Sequence, residues 1–162
     1  SGGGSGGVIT IAGETSKSGG PADAKYITRK VTLAEGFDSG DLRVYMTAYK
    51  PLDTNIYVYA KYLSSSDSES FDDKGWSLLT QVGNANFVSM NAADYRELVF
   101  APGSSGVPSN VISYTNSAGS SFNTFKTFAI KIVMTGKQTY NVPKIRDFRV
   151  IAMPAISNDL LT

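Results

Sequence analysis

The chain has 162 residues, of which 41% are hydrophobic, and this is enough for one domain with its own core. Its 15 basic and 14 acidic residues give a formal net charge of +1, which argues against a general nucleic-acid-binding protein. The sequence contains no Cys and no His, which excludes disulfides, thiol nucleophiles, Cys-type zinc sites and any imidazole general base. It also lacks an apolar run of roughly 18 residues, so no membrane span is expected.

The N-terminal part of the chain differs in composition from the rest. Residues 1–24 are rich in Gly, Ser, Ala and Thr and begin with the linker-like sequence SGGGSGG. We interpret them as an extended arm, in which only VITIA (8–12) has the character of an edge strand. This composition favours a domain that belongs to a longer polypeptide.

Three strands are predicted in the first half of the chain. KYITRKVTL (25–33) is the first, and we expect its apolar residues Ile27, Val31 and Leu33 to share one face. DLRVYMTAY (41–49) and IYVYAKYL (56–63) both alternate apolar and polar residues, and the short turn between them predicts antiparallel neighbours. The tyrosines that this alternation directs outward are Tyr45, Tyr49, Tyr57 and Tyr59.

The second half of the chain contains further strand patterns. WSLLTQV (76–82) follows a polar loop and begins at the only Trp. The stretch NAADYRELVF is compatible either with a helical turn capped by Asn91 or with a strand over 95–100. Two long strands follow, within 121–136 and over 144–153. Their expected core residues are Phe128, Ile130, Ile132 and Met134 in the first strand and Phe148, Val150 and Ala152 in the second.

These elements define the predicted fold class. Seven or eight strands separated by turn signals, with no convincing amphipathic helix, predict an all-β protein, an antiparallel β-sandwich spanning residues 25–154. Residues 155–162 are interpreted as a C-terminal tail. A long penultimate strand followed by a terminal one is similar to the strand order of jelly-roll and galactose-binding-like sandwiches, a likeness that carries no function by itself.

The outward tyrosines allow three interpretations. They could form a carbohydrate platform, on which aromatic faces stack against sugars while Arg43 and Lys61 supply hydrogen bonds. They could be ordinary strand residues, because cross-strand aromatic pairs stabilise a sheet. They could also form a protein–protein interface, where Tyr and Arg are enriched, and we favour the packed-sheet and interface readings. The candidate interface or ligand-binding residues are Arg43, Tyr45, Tyr49, Tyr57, Tyr59 and Trp76.

The acidic residues were considered as metal ligands and as catalytic groups. Oxygen ligands at short spacing could hold a structural Ca²⁺, although the spacing is not that of an EF-hand and a solvated acidic loop is the simpler account. The candidate ligands are Asp67, Glu69, Asp72 and Asp73, with a weaker second group of Glu35, Asp38 and Asp41. No signature pairs two carboxylates as glycosidase catalysis requires, so we expect no enzymatic activity and no other cofactor.

Basic residues near the strand ends could suggest contact with nucleic acid. Asp147 lies among them and the net charge is close to zero, so alternating charge on the outer face of a strand is the simpler explanation. The residues concerned are Arg29, Lys30, Lys144, Arg146 and Arg149.

The segments YITRKVTLAEGFDSGDLRVYMTAYKP, IYVYAKYLSSSDSESFDDKGW and VPKIRDFRVIAMP suggest a family. Together they resemble a β-rich module of the virion structural proteins of tailed bacteriophages, including tail and baseplate proteins, over about residues 25–154. The resemblance implies a non-catalytic tail or baseplate module, located in the virion, that mediates protein–protein assembly as a homo-oligomer or as part of a larger assembly. The alternative is a module on the virion surface that binds a carbohydrate or receptor, such as a host glycan.

Overall fold

A computed structural model describes residues 25–35, 38–83, 87–104, 106–136 and 142–154 of the chain. The predicted arm (1–24), including VITIA, and the predicted tail (155–162) lie outside the described residues. Within the described ranges, no helix has the length and apolar character needed to cross a membrane.

Thirteen strands and one 3-10 turn form the regular structure of the described ranges. In chain order they are β1 (Lys25–Ile27), β2 (Val31–Thr32), β3 (Ser39–Tyr49), β4 (Thr54–Leu63), the 3-10 turn (Phe71–Asp73), β5 (Ser77–Leu78), β6 (Thr80–Val82), β7 (Arg96–Ala101), β8 (Gly103–Ser104), β9 (Val107–Pro108), β10 (Tyr114–Thr115), β11 (Ser121–Phe122), β12 (Thr127–Gly136) and β13 (Lys144–Pro154).

The longer strands form two antiparallel sheets that pack face to face. Sheet A has the order β1–β12–β4–β5, and β2 also pairs with β12. Sheet B has the order β13–β3–β7–β6. Two short hairpins, β8–β9 and β10–β11, lie outside these sheets. The molecule is therefore an all-β antiparallel sandwich, as the sequence predicted, while its jelly-roll or galactose-binding-like topology remains a prediction.

The core lies between the inner faces of the two sheets, where the alternation of the long strands places apolar side chains. The strand predicted over 95–100 is confirmed as β7. The residues before it form a tight turn and not a helix, and in that turn Asn91 accepts from the Ala93 amide. Met134, Phe148, Val150 and Ala152 pack against the core while remaining partly exposed, the last three on the edge strand β13. The fully or nearly buried core residues of the long strands are Leu42, Val44, Met46, Ala48, Ile56, Val58, Ala60, Tyr62, Leu98, Phe100, Phe128, Ile130 and Ile132.

The predicted hairpin between the second and third strands is wrong. β3 pairs with β13 and β7 in sheet B, whereas β4 pairs with β12 and β5 in sheet A. The short turn after Tyr49 therefore carries the chain from one sheet to the other. Both strands keep one face toward the core, so their other faces point out of opposite sides of the sandwich.

Two other predicted strands are interrupted. The segment 25–33 forms β1 and β2, both of which pair with β12, with an irregular stretch at 28–30. Ile27 pairs with Lys131 and Val31 with Phe128. Because these two partners are three residues apart on β12, Ile27 and Val31 lie on opposite faces of sheet A, and the predicted common face is wrong. The segment 76–82 likewise forms β5 in sheet A and β6 in sheet B.

Candidate functional site

The outer face of sheet B is rich in arginine and tyrosine. Residues of β3 and β13 that alternate with the buried ones lie side by side there, because Lys144 pairs with Tyr49 and Arg149 with Tyr45. Tyr95, just before β7, lies beside this row. We call this surface the arginine–tyrosine face, and it consists of Arg43, Tyr45, Tyr49, Tyr95, Lys144, Arg146 and Arg149.

Cation–aromatic contacts hold the side chains of this face in place. The Arg146 guanidinium lies 3.8 Å from the centre of the Tyr95 ring, and the Arg149 guanidinium lies 4.9 Å from that of Tyr45. The rings of Tyr49 and Tyr95 are 6.0 Å apart. Stacking of this kind reduces the side-chain entropy that a partner would otherwise have to remove on binding.

The cations of the face outnumber its acids. Asp41 pairs with Arg43, and Glu97 pairs with Arg149 at 2.9 Å. Arg43 also donates hydrogen bonds to the Ser109 carbonyl oxygen and to Asn110, so its guanidinium is anchored at one end of the face. With Lys144 and Arg146 added, the face has four cations, against Asp41, Glu97 and the exposed Asp147 of the β13 bulge.

Tyr57 and Tyr59 lie on the outer face of sheet A, so the four outward tyrosines of the sequence do not share one surface. Tyr59 is 1% exposed and Trp76 is 6% exposed, because the loop after β4 folds back over the sheet and inserts Phe71 beside them. Neither Tyr59 nor Trp76 can therefore offer an open ring face to a sugar in this conformation.

Two buried lysines lie in the same cluster. The Lys61 and Lys131 ammonium groups lie 5.0 Å and 5.2 Å from the centre of the Trp76 ring, and Lys131 is fully buried. Burial lowers the pKa of Lys61. Lys61, which was considered as a sugar-binding donor, is thus part of the packing beneath the loop.

The acidic loop contains a buried ion cluster. The Lys74 ammonium lies 2.9 Å from an Asp67 carboxylate oxygen and also binds Glu69, and the Lys74 and Asp67 side chains are almost completely buried. Burial alone would raise the pKa of Asp67, but hydrogen bonds from the Glu69 amide and from three side chains lower it to about 2. Hydrogen bonds from Lys74 and Ser117 lower the pKa of Glu69 to about 2 as well.

This ion cluster also fixes the β10–β11 hairpin. The Tyr114 hydroxyl donates to Asp67 at 2.9 Å and accepts from the Ser64 amide at 2.7 Å. Asn116 donates to Asp67, and Ser117 donates to Glu69 through its amide and its hydroxyl. The hairpin is therefore attached to the loop by charge-assisted hydrogen bonds.

The candidate metal ligands do not come together as one shell. Asp67 and Glu69 surround Lys74, whereas Asp72 and Asp73 belong to the exposed 3-10 turn. The second group is also divided: Glu35 pairs with Lys126, Asp38 accepts from Ser65, and Asp41 pairs with Arg43. In the part of the chain that the structure describes, no group of three or more acidic side chains could hold a metal ion.

Two adjoining cavities lie beside the hairpin, and we call them together the hairpin groove. The smaller cavity, of about 250 Å³, lies between residues 73–77 and residues 114–117. The larger, of about 550 Å³, lies along residues 102–104 and 107–113 and includes Leu78 and Leu79. Tyr62 and Ser77 belong to the walls of both cavities.

Several residues of these sites were missed by the sequence analysis. Lys74 was not among the predicted site residues, although its position after four acids was a signal for an internal ion pair. The polar turn between YT (114–115) and SF (121–122) indicated a short hairpin, but nothing local showed that Tyr114 would reach Asp67. No protein-family model, curated protein or solved structure matches this chain.

Proposed function

We propose that this chain is a non-catalytic assembly module of a bacteriophage tail or baseplate, and that it docks through its arginine–tyrosine face onto an acidic surface of another virion protein. The resemblance over residues 25–154 supplies the class of particle. The observation that carries the docking proposal is the exposed row of arginines stacked on tyrosines along β3 and β13. Arg and Tyr are enriched in protein interfaces because they bury much area and retain polar groups.

The charge of the face favours a different protein as the partner, and disfavours a second copy of this chain. Four cations against three carboxylates leave the face with an excess of one positive charge, and an isologous dimer would bring two such surfaces together. Like charges in close contact cost several kcal/mol, whereas an acidic partner would be attracted and oriented. The homo-oligomer expected from the resemblance would then have to form through other surfaces.

A binding experiment with matched charge reversals tests this proposal. Light scattering would measure the mass of the chain alone and mixed with each purified tail and baseplate protein of its virion. One mixture should give a defined complex, and the double variant Arg146→Glu with Arg149→Glu should weaken its affinity by about 100-fold or more.

The control variant reverses two positive charges on a part of the surface outside the arginine–tyrosine face. The double variant Arg29→Glu with Lys30→Glu alters two exposed cations near β1 and β2, away from sheet B. Its affinity should stay within about twofold of the wild type, since exposed charges outside an interface contribute little. Equal losses in both variants, or no complex with any virion protein, would contradict the proposal.

A further inference from the structure

The hairpin groove opens where sheet A is incomplete. β5 covers β4 only at Tyr59 and Ala60, so the last residues of β4 have no strand beside them on that edge in the described structure. The β10–β11 hairpin stands opposite this edge and is held there by Asp67 and Glu69. The groove therefore lies between a rigid strand and a hairpin that is attached chiefly through side chains.

Aromatic rings and uncharged polar groups line the smaller cavity together. Tyr62, Trp76 and Tyr114 contribute the rings, and the Tyr62 and Tyr114 rings stack with an angle of 23° between them. Asn116, Ser117 and Thr115 contribute amide and hydroxyl groups. Asp73 and Lys74 are the charged residues of the wall, one of each sign, so the wall favours a ligand without net charge.

Two residues of this wall each carry a buried hydrogen-bond donor that has no partner. Among the described residues, three buried side-chain polar atoms lack one: Ser39 Oγ, Tyr62 Oη and Trp76 Nε1. Two of these three belong to residues that line the same cavity. A buried polar group without a hydrogen bond is destabilising, so two such groups on residues of one cavity wall favour an acceptor from outside the chain.

We propose that the hairpin groove binds a neutral oligosaccharide, with one sugar ring in the smaller cavity and the next residues along the larger one. Sugar hydroxyl oxygens would accept from Tyr62 Oη and Trp76 Nε1, and a sugar hydroxyl would donate to the Asp73 carboxylate. Neither donor atom is exposed to solvent in the free protein, so binding requires a small shift of the hairpin or a bridging water.

The physical basis is the same as that of other small-ligand sites. Such sites are concave and largely apolar and carry a few placed polar groups, and their volumes are about 300–1,000 Å³, a range that contains the larger cavity. Burial raises the pKa of Tyr62, so its hydroxyl stays protonated and remains a donor. The groove contains no residue of the arginine–tyrosine face, and the two proposals stand independently.

The single tryptophan gives a direct test. Trp76 is the only Trp of the chain and lies in the wall of this cavity, so its fluorescence reports on changes beside the cavity. The full chain would be screened on an array of neutral, N-acetylated and sialylated oligosaccharides, and each hit would then be titrated while Trp76 fluorescence is recorded. A neutral oligosaccharide should bind and change the emission, and Tyr62→Phe should weaken it about tenfold by removing one hydrogen bond.

Tyr62→Phe removes a hydroxyl that has no hydrogen-bond partner in the free protein. The melting temperature of this variant should therefore equal or exceed that of the wild type. Tyr26→Phe, the same change on an exposed residue of β1, is the control and should bind as the wild type does. The proposal is overturned if no neutral oligosaccharide changes the emission, or if Tyr62→Phe binds as tightly as the control. It is also overturned if only extended peptides change the emission, which would indicate strand addition at the edge of β4.

Discussion

Lys74 is the residue on which the local order of the loop and the hairpin depends. Its side chain is 4% exposed and binds two carboxylates, and those carboxylates in turn bind Tyr114, Asn116 and Ser117. A buried ion pair of this kind contributes modestly as a whole, but removing one partner leaves a charge buried without compensation.

Replacement of Lys74 should therefore destabilise the folded chain. Lys74→Met should lower the free energy of unfolding by about 3–5 kcal/mol, because Asp67 remains buried without its cation. Lys126→Met, which removes an ion pair with the exposed Glu35, should cost no more than about 1 kcal/mol. Urea denaturation of both variants measures the difference, and similar losses would contradict the assigned role of Lys74.

The same cluster makes stability depend on pH in the acid range. The pKa values of Asp67 and Glu69 are lowered to about 2 in the folded chain, from ordinary values of 3.8 and 4.5. Their stabilising contribution is complete above the ordinary values and is lost as the pH falls toward 2. Melting temperatures measured from pH 6 down to about 2 should fall more steeply in the wild type than in Asp67→Asn. Parallel curves would show that Asp67 does not contribute as described.

At the scale of strands, alternation predicted which side chains are buried but not which strands pair. β3 buries every second residue, as its sequence indicated. β12 is instead buried on both faces over residues 127–133, because the loop with Phe71 and Trp76 covers the outer side of sheet A. A short turn after such a strand suits both a hairpin and a crossing between sheets, and the inward and outward pattern is the same in both. The partners of β3 are β7 and β13, both distant in the sequence, and the local sequence does not indicate either pairing.

β13 is a long edge strand that is interrupted by a bulge. The register between β13 and β3 shifts between Arg146 and Arg149, and Asp147 has a φ of 54° there. Bulges and charged residues protect an open edge against pairing with other chains. They also explain why Lys144, Arg146 and Arg149 all point outward although their spacing is uneven.

The bulge can be tested at Asp147. Asp147→Val should lower the free energy of unfolding by about 1–2 kcal/mol, because a β-branched residue fits the left-handed conformation poorly. Asp147→Gly should be neutral or slightly stabilising, since glycine adopts this conformation without strain. Thermal unfolding followed by circular dichroism measures both, and a Val variant as stable as the Gly variant would rule out the bulge conformation described.

At the scale of the whole molecule, the sandwich presents two different outer faces. Sheet A is covered on its outer side by the loop with Phe71 and Trp76, whereas the outer side of sheet B carries the exposed arginine–tyrosine face. The sequence could not predict this difference, because Tyr45 and Tyr59 occupy equivalent positions in similar alternating strands. Tyr59 became a core residue only through the fold of a loop that reads as polar and solvated.

Salt should affect the rate of docking more than the lifetime of the complex. If the positive face steers an acidic partner, the association rate constant should fall steeply as ionic strength rises, while the dissociation rate constant changes little. Surface plasmon resonance over a range of salt concentrations measures both constants. An association rate that is insensitive to salt would contradict electrostatic docking at this face.

The most direct measurement is hydroxyl-radical footprinting of the chain, free and within the intact virion. The account predicts that Tyr45, Tyr49 and Tyr95 are modified in the free chain and become protected in the particle. Tyr26, which is 58% exposed on sheet A, should remain reactive in both states and serves as the internal control. Protection of Tyr26 with unchanged reactivity of the three tyrosines on sheet B would show that the chain docks through another surface.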